Sequence, residues 1–228
     1  MDTSGLAKLA DNFFNLAVLG EYYPQILAGL LVTAKVAVVV VTSGIAVGFG
    51  LAIVRCAGVK FLNVLIVAYV DFFRTLPQLV IIIFVYFALP YADISLSPFA
   101  ATALSLGFVL SAFSAEIFWA SILTTPSGQS DAGYSLGLRK YQVIGSIIVP
   151  QAVRIAIPML ANRSIAITKG TALGSAISLP EILGTAQSAV QMAANPSPLT
   201  LAAVLYVLLF LPLVIGSRYL ESRYQWTR

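Results

Sequence analysis

The sequence predicts an all-helical integral membrane protein with five spans. Of its 228 residues 59% are hydrophobic and only 10% are charged, whereas a soluble domain carries about 25% charged residues. The apolar residues also fall into repeated runs near the ~20 residues that a helix needs to cross ~30 Å of hydrocarbon at ~1.5 Å per residue. The same composition excludes several functions. A net charge of +4 from 13 Lys and Arg, spread along so apolar a chain, forms no stripe able to track a phosphate backbone, so nucleic acid is not an expected partner. With no histidine and one cysteine, Cys56, an internal disulfide, the usual Cys/His metal sites and most hydrolase triads are excluded. No GxxxxGK[ST] stretch occurs, so the chain does not hydrolyse ATP by that route.

Residues 1–25 read as an external or interfacial segment beginning at Met1, with no removable signal peptide. Leu6, Leu9, Phe13, Leu16 and Ala17 recur at helical spacing opposite Lys8, Asp11, Asn12 and Asn15, which suits a short helix lying on the membrane or packed on the bundle. The membrane domain, 26–217, starts with a span from Ile26 to Val54 that contains Lys35 and ends at Arg55 and Lys60. Gly44 and Gly48 form GxxxG in it, with Gly50 close behind, a spacing that permits tight helix contact and also arises by chance. Phe61 to Val70 is apolar but broken by Asp71, Arg74 and Pro77, which predicts an interfacial segment and then a span from Pro77 to Tyr91.

After Pro90, Asp93 and Pro98 a third span runs from Phe99 to Leu123 and carries Glu116. The longest hydrophilic connection, Thr124 to Gln142, holds Arg139 and Lys140. A fourth span between Pro150 and Ile167 contains Pro158 and Arg163, a mixture expected of a helix facing protein or water. Leu179 to Gln191 reads as a short helix, Leu199 to Ile215 as the fifth span, and 218–228 as a tail. Segments 90–98 and 180–198 hold no Lys or Arg, whereas Arg55, Lys60, Arg139, Lys140, Arg218, Arg223 and Arg228 all fall on the other side of a five-span chain. Because cytoplasmic loops retain positive residues, the N-terminus is expected outside and the C-terminus inside. Tyr22, Tyr23, Tyr86, Tyr91, Tyr219, Tyr224 and Trp226 sit near span ends, as interfacial anchors do.

The hydrophilic connection is the most informative stretch. It contains Asp131-Ala132-Gly133, then three residues, Gly137, nine residues, and Ile147-Ile-Val-Pro150. This resembles the cytoplasmic loop of bacterial ABC importer permeases, Glu-Ala-Ala, three residues, Gly, nine residues, Ile-x-Leu-Pro, with every spacing kept. Gly133 in place of the second Ala weakens the helix by ~1 kcal/mol. Tyr69-Val-Asp71-Phe-Phe-Arg74-Thr75-Leu-Pro77 resembles the Tyr-Val-Glu, two residues, Arg-Gly-Thr-Pro segment of the polar amino acid subgroup. Ala115-Glu116-Ile117 before the loop, Pro126-x-Gly128-Gln129 opening it, Pro150-Gln151-Ala152-x-Arg154 closing it and Ser178-Leu-Pro180-Glu181 also match, while Lys169-Gly170-Thr171 departs from the subgroup's usual Lys-Asp-Thr.

The resemblance implies the type I importer permease fold and alternating access. The partners it implies are two ATP-binding subunits, a second permease chain, identical or homologous, and an external amino acid-binding protein, all in contact with or beside membrane lipid. ATP and Mg are then used by the partner ATPase, and this chain binds no cofactor. It further implies that loop 124–150 contacts the ATPase through Asp131, Ala132, Gly133, Gly137, Leu138, Arg139 and Pro150. Ala132 and Gly137 permit close backbone approach, and Gly137 also suits the left-handed residue that ends a helix. The intramembrane charges Glu116, Lys35, Arg163 and Lys169 are candidate translocation-path residues, since charge in lipid faces a cavity or a partner. For Glu116 an ion pair with Arg74 or Arg154 is the alternative, and Lys35 has the option of snorkelling outward. The rival function is a secondary transporter or channel for a small polar solute, and a membrane enzyme is weaker because catalytic groups are missing.

Overall fold

The computed structural model describes residues 3–224, and among these the regular structure is helical. Trp226 and Arg228, used above as anchor and rim charge, lie outside the described residues, as do Met1 and the side chains of Leu6 and Tyr224. Four helices are long and apolar enough to cross a membrane, and a fifth span forms if a helix pair broken at Leu76–Pro77 is counted as one.

Helix α1 covers Thr3–Phe13 and α2 covers Leu16–Cys56. Leu16 and Ala17 therefore do not belong to the N-terminal amphipathic helix, and α2 begins ten residues before the expected Ile26. The cause is Asn15, whose Oδ1 accepts from the N–H groups of Ala17 (3.1 Å) and Val18 (3.2 Å), the capping geometry Asn favours. Helix α2 ends in a tight turn at Ala57 and Gly58, where Gly58 has φ +79°.

Helix α3 (Lys60–Thr75) runs through Asp71 and Arg74, so the polar residues do not end it. The break lies at Leu76, extended at φ −78°, ψ 137°, as the residue before a proline prefers. Helix α4 follows over Gln78–Ala88, and α5 over Pro98–Leu123. Helix α6 (Ser127–Ser135) crosses the hydrophilic connection. A continuous helical run then comprises α7 (Lys140–Val143), a π turn (Ile144–Ile148) and α8 (Val149–Thr168). The fourth membrane helix thus starts ten residues before Pro150. Proline has no N–H to bond the preceding turn, and the wider π turn just before it absorbs the loss. A 3-10 stretch (Lys169–Ile177), α9 (Ile182–Ala193) and α10 (Ser197–Tyr224) complete the chain. Arg218 and Arg223 ride on α10 rather than on a separate tail.

The chain forms two compact units, one of Met1–Val39, Gln78–Leu106 and Thr168–Leu213, the other of Val40–Pro77, Gly107–Ile167 and Val214–Arg228. In the first, Ile26, Ile182, Ala186, Ala202 and Leu205 form a buried core joining α2, α9 and α10. Gly29 gives room there, since a Cβ on it would lie 2.8 Å from the Glu181 carbonyl oxygen. Gly170 is buried, and a Cβ on it would collide with Gln78 Oε1 and lie 3.2 Å from Leu106 Cδ2. An aspartate at 170 therefore requires the Gln78 side chain to move. In the second unit, Ala52, Phe118, Ala156 and Leu160 form one cluster and Ile66, Val70 and Ala115 another. Gly44 and Gly48 lie against Leu110, Ser111 and Ser114 of α5, whereas Gly50 has nothing within 4 Å. Lipid supplies little hydrophobic drive between helices, so close packing of this kind holds them together.

Candidate coupling loop and charged membrane residues

The polar connection folds into a capped helix. At its end the Leu138 N–H donates to Gly133 O (3.1 Å) and the Gly137 N–H to Tyr134 O (2.9 Å), the pair of bonds that closes a helix through a left-handed residue. Gly137 supplies that residue at φ +76°, where glycine alone pays no steric penalty. Gly133 is buried, and a Cβ there would lie 2.9 Å from Val143 Cγ2 and Ile147 Cδ1. The Gly-for-Ala exchange that weakens α6 thus lets it seat closely on the helical run that follows. The Arg139 N–H donates to Gln142 Oε1 (2.8 Å), capping α7, and Lys140 Nζ donates to Ala57 O (3.4 Å) at the end of α2.

Asp131, Ala132, Gly137, Arg139 and Pro150 are exposed, Leu138 is half-buried and Gly133 is buried. A Cβ on Gly137 would meet nothing within 4 Å, so its role within the chain is conformational. Around these residues stand Leu136, 81% exposed, Tyr141, 65%, and Tyr134, 48%. Sequence reasoning passed over all three, although an apolar residue between Ser135 and Gly137 in a hydrophilic stretch was a usable signal.

The intramembrane charges do not form one constellation. Glu116 Oε2 pairs with Arg55 Nη1 at 3.4 Å, and neither expected partner, Arg74 or Arg154, is used. Arg55 ends α2 beside α5, and it also lies 4.3 Å from the Trp119 ring centroid. Arg74 and Arg163 instead approach the ring of Phe113, at 5.2 Å and 3.9 Å. Lys35 is exposed on α2, and Lys169, also exposed, lies 5.9 Å from the Phe210 ring.

Sequence reasoning also missed the function of Glu181. It is fully buried, and its Oε1 accepts from the Gly184 N–H (2.7 Å) while its Oε2 accepts from the Tyr206 hydroxyl (2.5 Å). The adjacent Ile182 N–H donates to Thr33 Oγ1 at 3.2 Å. The signal was a carboxylate directly before an apolar helix, the N-cap position.

Several apolar crossings, buried small-residue packing and an exposed, capped helix outside the spans define a membrane-embedded transport subunit. Over residues 44–226 the chain matches the family described as the binding-protein-dependent transport system inner membrane component, and it belongs to that family. It is 35% identical over 172 residues, 75% of each chain, to the probable amino-acid ABC transporter permease protein YckA of Bacillus subtilis. It is 34% identical to the probable glutamine ABC transporter permease protein GlnP of the same organism, covering 90% of this chain and 98% of that one. A crystal structure of an amino acid ABC transporter with histidines superposes with a TM-score of 0.83 at 26% identity, covering 90% of this chain and 96% of that one. This chain is therefore a multi-pass inner-membrane permease subunit with no catalysis of its own, and the ATPase is a separate chain. The rival reading as a gradient-driven transporter or channel falls.

Proposed function

We propose that this permease carries a polar amino acid across the inner membrane. In this reading two ATP-binding subunits, which use the ATP and Mg, press on loop 124–150. An external amino acid-binding protein delivers the solute, and a second permease chain, identical or homologous, completes the path. The N-terminus lies outside and the C-terminus in the cytoplasm, with 26–217 as the permease domain. Relatives described as amino-acid and glutamine permeases support the solute class.

The observation that carries the coupling role is the exposure of Leu136, Tyr141 and Tyr134 around the capped end of α6, outside the apolar spans. Exposed apolar side chains on a rigid, glycine-closed turn fit a groove on a partner. Lys35, Arg163 and Lys169 are assigned to the path because charge in a span needs water or a counter-charge. Glu116 enters as the ion-pair partner of Arg55, a contact well placed to break and re-form during gating.

The test is reconstitution of Leu136→Asp and Gly137→Leu with the partner chains. Leu136→Asp puts a charge in the contact and should release the ATPase in detergent. Gly137→Leu strains the left-handed turn by ~1 kcal/mol or more, with no clash inside the chain, so insertion survives and coupled uptake falls at least tenfold. Wild-type ATPase retention and uptake in both variants would remove the loop from the mechanism. Orientation is checked separately: reporters at residue 95 and residue 188 should read outside and one at residue 130 inside, and a cytoplasmic signal at residue 95 defeats the assignment.

A further inference from the structure

We propose that Gln78 and Gly170 form a clasp that joins the breaks in two membrane helices and positions the Lys169 turn during transport; this rests on the importer reading above. The first break separates α3 from α4, where Leu76 is extended, Pro77 follows and the helix axis turns by 104°. Gln78 is the first residue of α4. The second break lies at the end of α8, where the helix tightens at Lys169 into nine residues of 3-10 geometry. Gly170 is the second residue of that stretch. The two breaks are far apart in sequence, yet the Gln78 side chain ends on Gly170.

A side chain on residue 170 would begin where Gln78 Oε1 now sits, so any Cβ there displaces the amide. Such a Cβ would also lie 3.2 Å from Leu106 Cδ2 of α5. Four residues on, a Cβ on Gly174 would lie 2.8 Å from Thr102 Oγ1 of the same helix. The two glycines therefore let the 3-10 stretch lie directly on α5, while Gln78 closes Gly170 from the side of α4. Gly170, Leu106 and Thr102 are buried and Gln78 is half-buried, so the contact is largely enclosed. All of these residues belong to the first compact unit.

A 3-10 run of nine residues exceeds the about three to four that this geometry usually sustains, because its hydrogen bonds are poorer than those of an α-helix. Its neighbours must hold it. At the other break Pro77 has no N–H and the extended Leu76 interrupts the backbone ladder, so the direction of α4 is likewise set by side-chain contact. Close-packed contacts switch between discrete arrangements rather than deforming continuously, so Gln78 is either seated on Gly170 or withdrawn from it. Seated, it fixes Lys169, the residue before Gly170, relative to α4. Lys169 is exposed, with Nζ 5.9 Å from the Phe210 ring, and is assigned above to the path. The departure from Lys-Asp-Thr at this turn then has a physical reason: glycine leaves the hole that Gln78 fills.

The experiment reconstitutes the complete complex in proteoliposomes with the binding protein and a mixture of the twenty radiolabelled amino acids, and measures molecules imported per ATP hydrolysed. Gln78→Ala removes the knob and Gly170→Ala fills the hole. Each should lower import per ATP about fivefold, the factor that ~1 kcal/mol of coupling represents. ATP hydrolysis, melting temperature and recovery of the complex should stay close to those of the parent. The double variant should be no worse than either single one, because both changes remove the same contact. Gln78→Met, with the same reach, should stay within about twofold of the parent, since cores tolerate swaps that conserve volume. Four results would each overturn the clasp: additive losses in the double variant, a loss in Gln78→Met as large as in Gln78→Ala, parental import per ATP in both single variants, or losses that merely follow the yield of folded complex. The parent protein decides the underlying reading separately. ATP-dependent import by the parent keeps the importer reading whatever the variants do, and its absence defeats both.

Discussion

Replacing Gly48 with alanine is expected to cost this permease most of its folded yield, although the change adds a single methyl group. In a helix interior Gly→Ala ordinarily gains ~0.5–1 kcal/mol, so the sign must come from the packing. A Cβ at Gly48 would lie 2.7 Å from Ser111 O and 2.8 Å from Ala115 N, besides meeting Ser114 Cβ. Two of these atoms are backbone of α5 and do not rotate away, so α2 and α5 have to separate. Overpacking in a core typically costs ~1–3 kcal/mol, and here it also opens the neighbouring Gly44–Leu110 contact. Gly50→Ala is the matched control, since nothing lies within 4 Å of it and it should be neutral or slightly stabilising. The measurement is the monodisperse fraction and melting temperature of each purified variant. A Gly48→Ala protein that elutes and melts like the parent would show that the α2–α5 crossing is looser than its geometry states.

The second large effect is expected at Glu181. Its carboxyl caps α9 and receives the Tyr206 hydroxyl of α10, while the neighbouring backbone is tied to Thr33 of α2. Glu181→Ala removes the cap, worth ~1 kcal/mol, and strands a tyrosine hydroxyl, a further ~1–3 kcal/mol. The melting temperature should fall sharply, and α9 should become the first site of proteolysis. Glu181→Gln keeps an amide oxygen for Gly184 and a polar contact for Tyr206, so it should lose far less. Tyr206→Phe combined with Glu181→Gln should cost less than the sum of the two single changes, because both act on one bond. Additive losses would mean that the two groups are not coupled, and a mild Glu181→Ala would mean that the cap is dispensable.

Much of this architecture was legible because the bilayer simplifies the code. Apolar run length alone placed α5 within one residue and located three other spans, and proline chemistry placed the break before Pro77, but the expected span from Pro77 to Tyr91 is the eleven-residue α4, which reaches membrane-crossing length only together with α3. Helix ends were less legible. Asn15 moved the start of α2 well outside the expected span, and the π turn carried the fourth helix back to Lys140. The turn that closes α6 was readable at Gly137, whose positive φ is a local backbone demand. Gly133 was not readable in the same way, because its value lies in closeness to Val143 and Ile147, a property of packing.

The sequence by itself determined the membrane class, the approximate positions of four spans, the family and the capped polar loop. Each of these follows from local run length, spacing and backbone preference. Tertiary structure alone decided which charges meet. Glu116 took Arg55 over the arginines nearer to expectation, Arg74 and Arg163 converged on Phe113, and Glu181 joined three helices. The physical reason is that partner choice depends on distances of a few ångströms between helices far apart in sequence. Those distances are set by glycines such as Gly44 and Gly48, whose contribution is the space they leave to their neighbours.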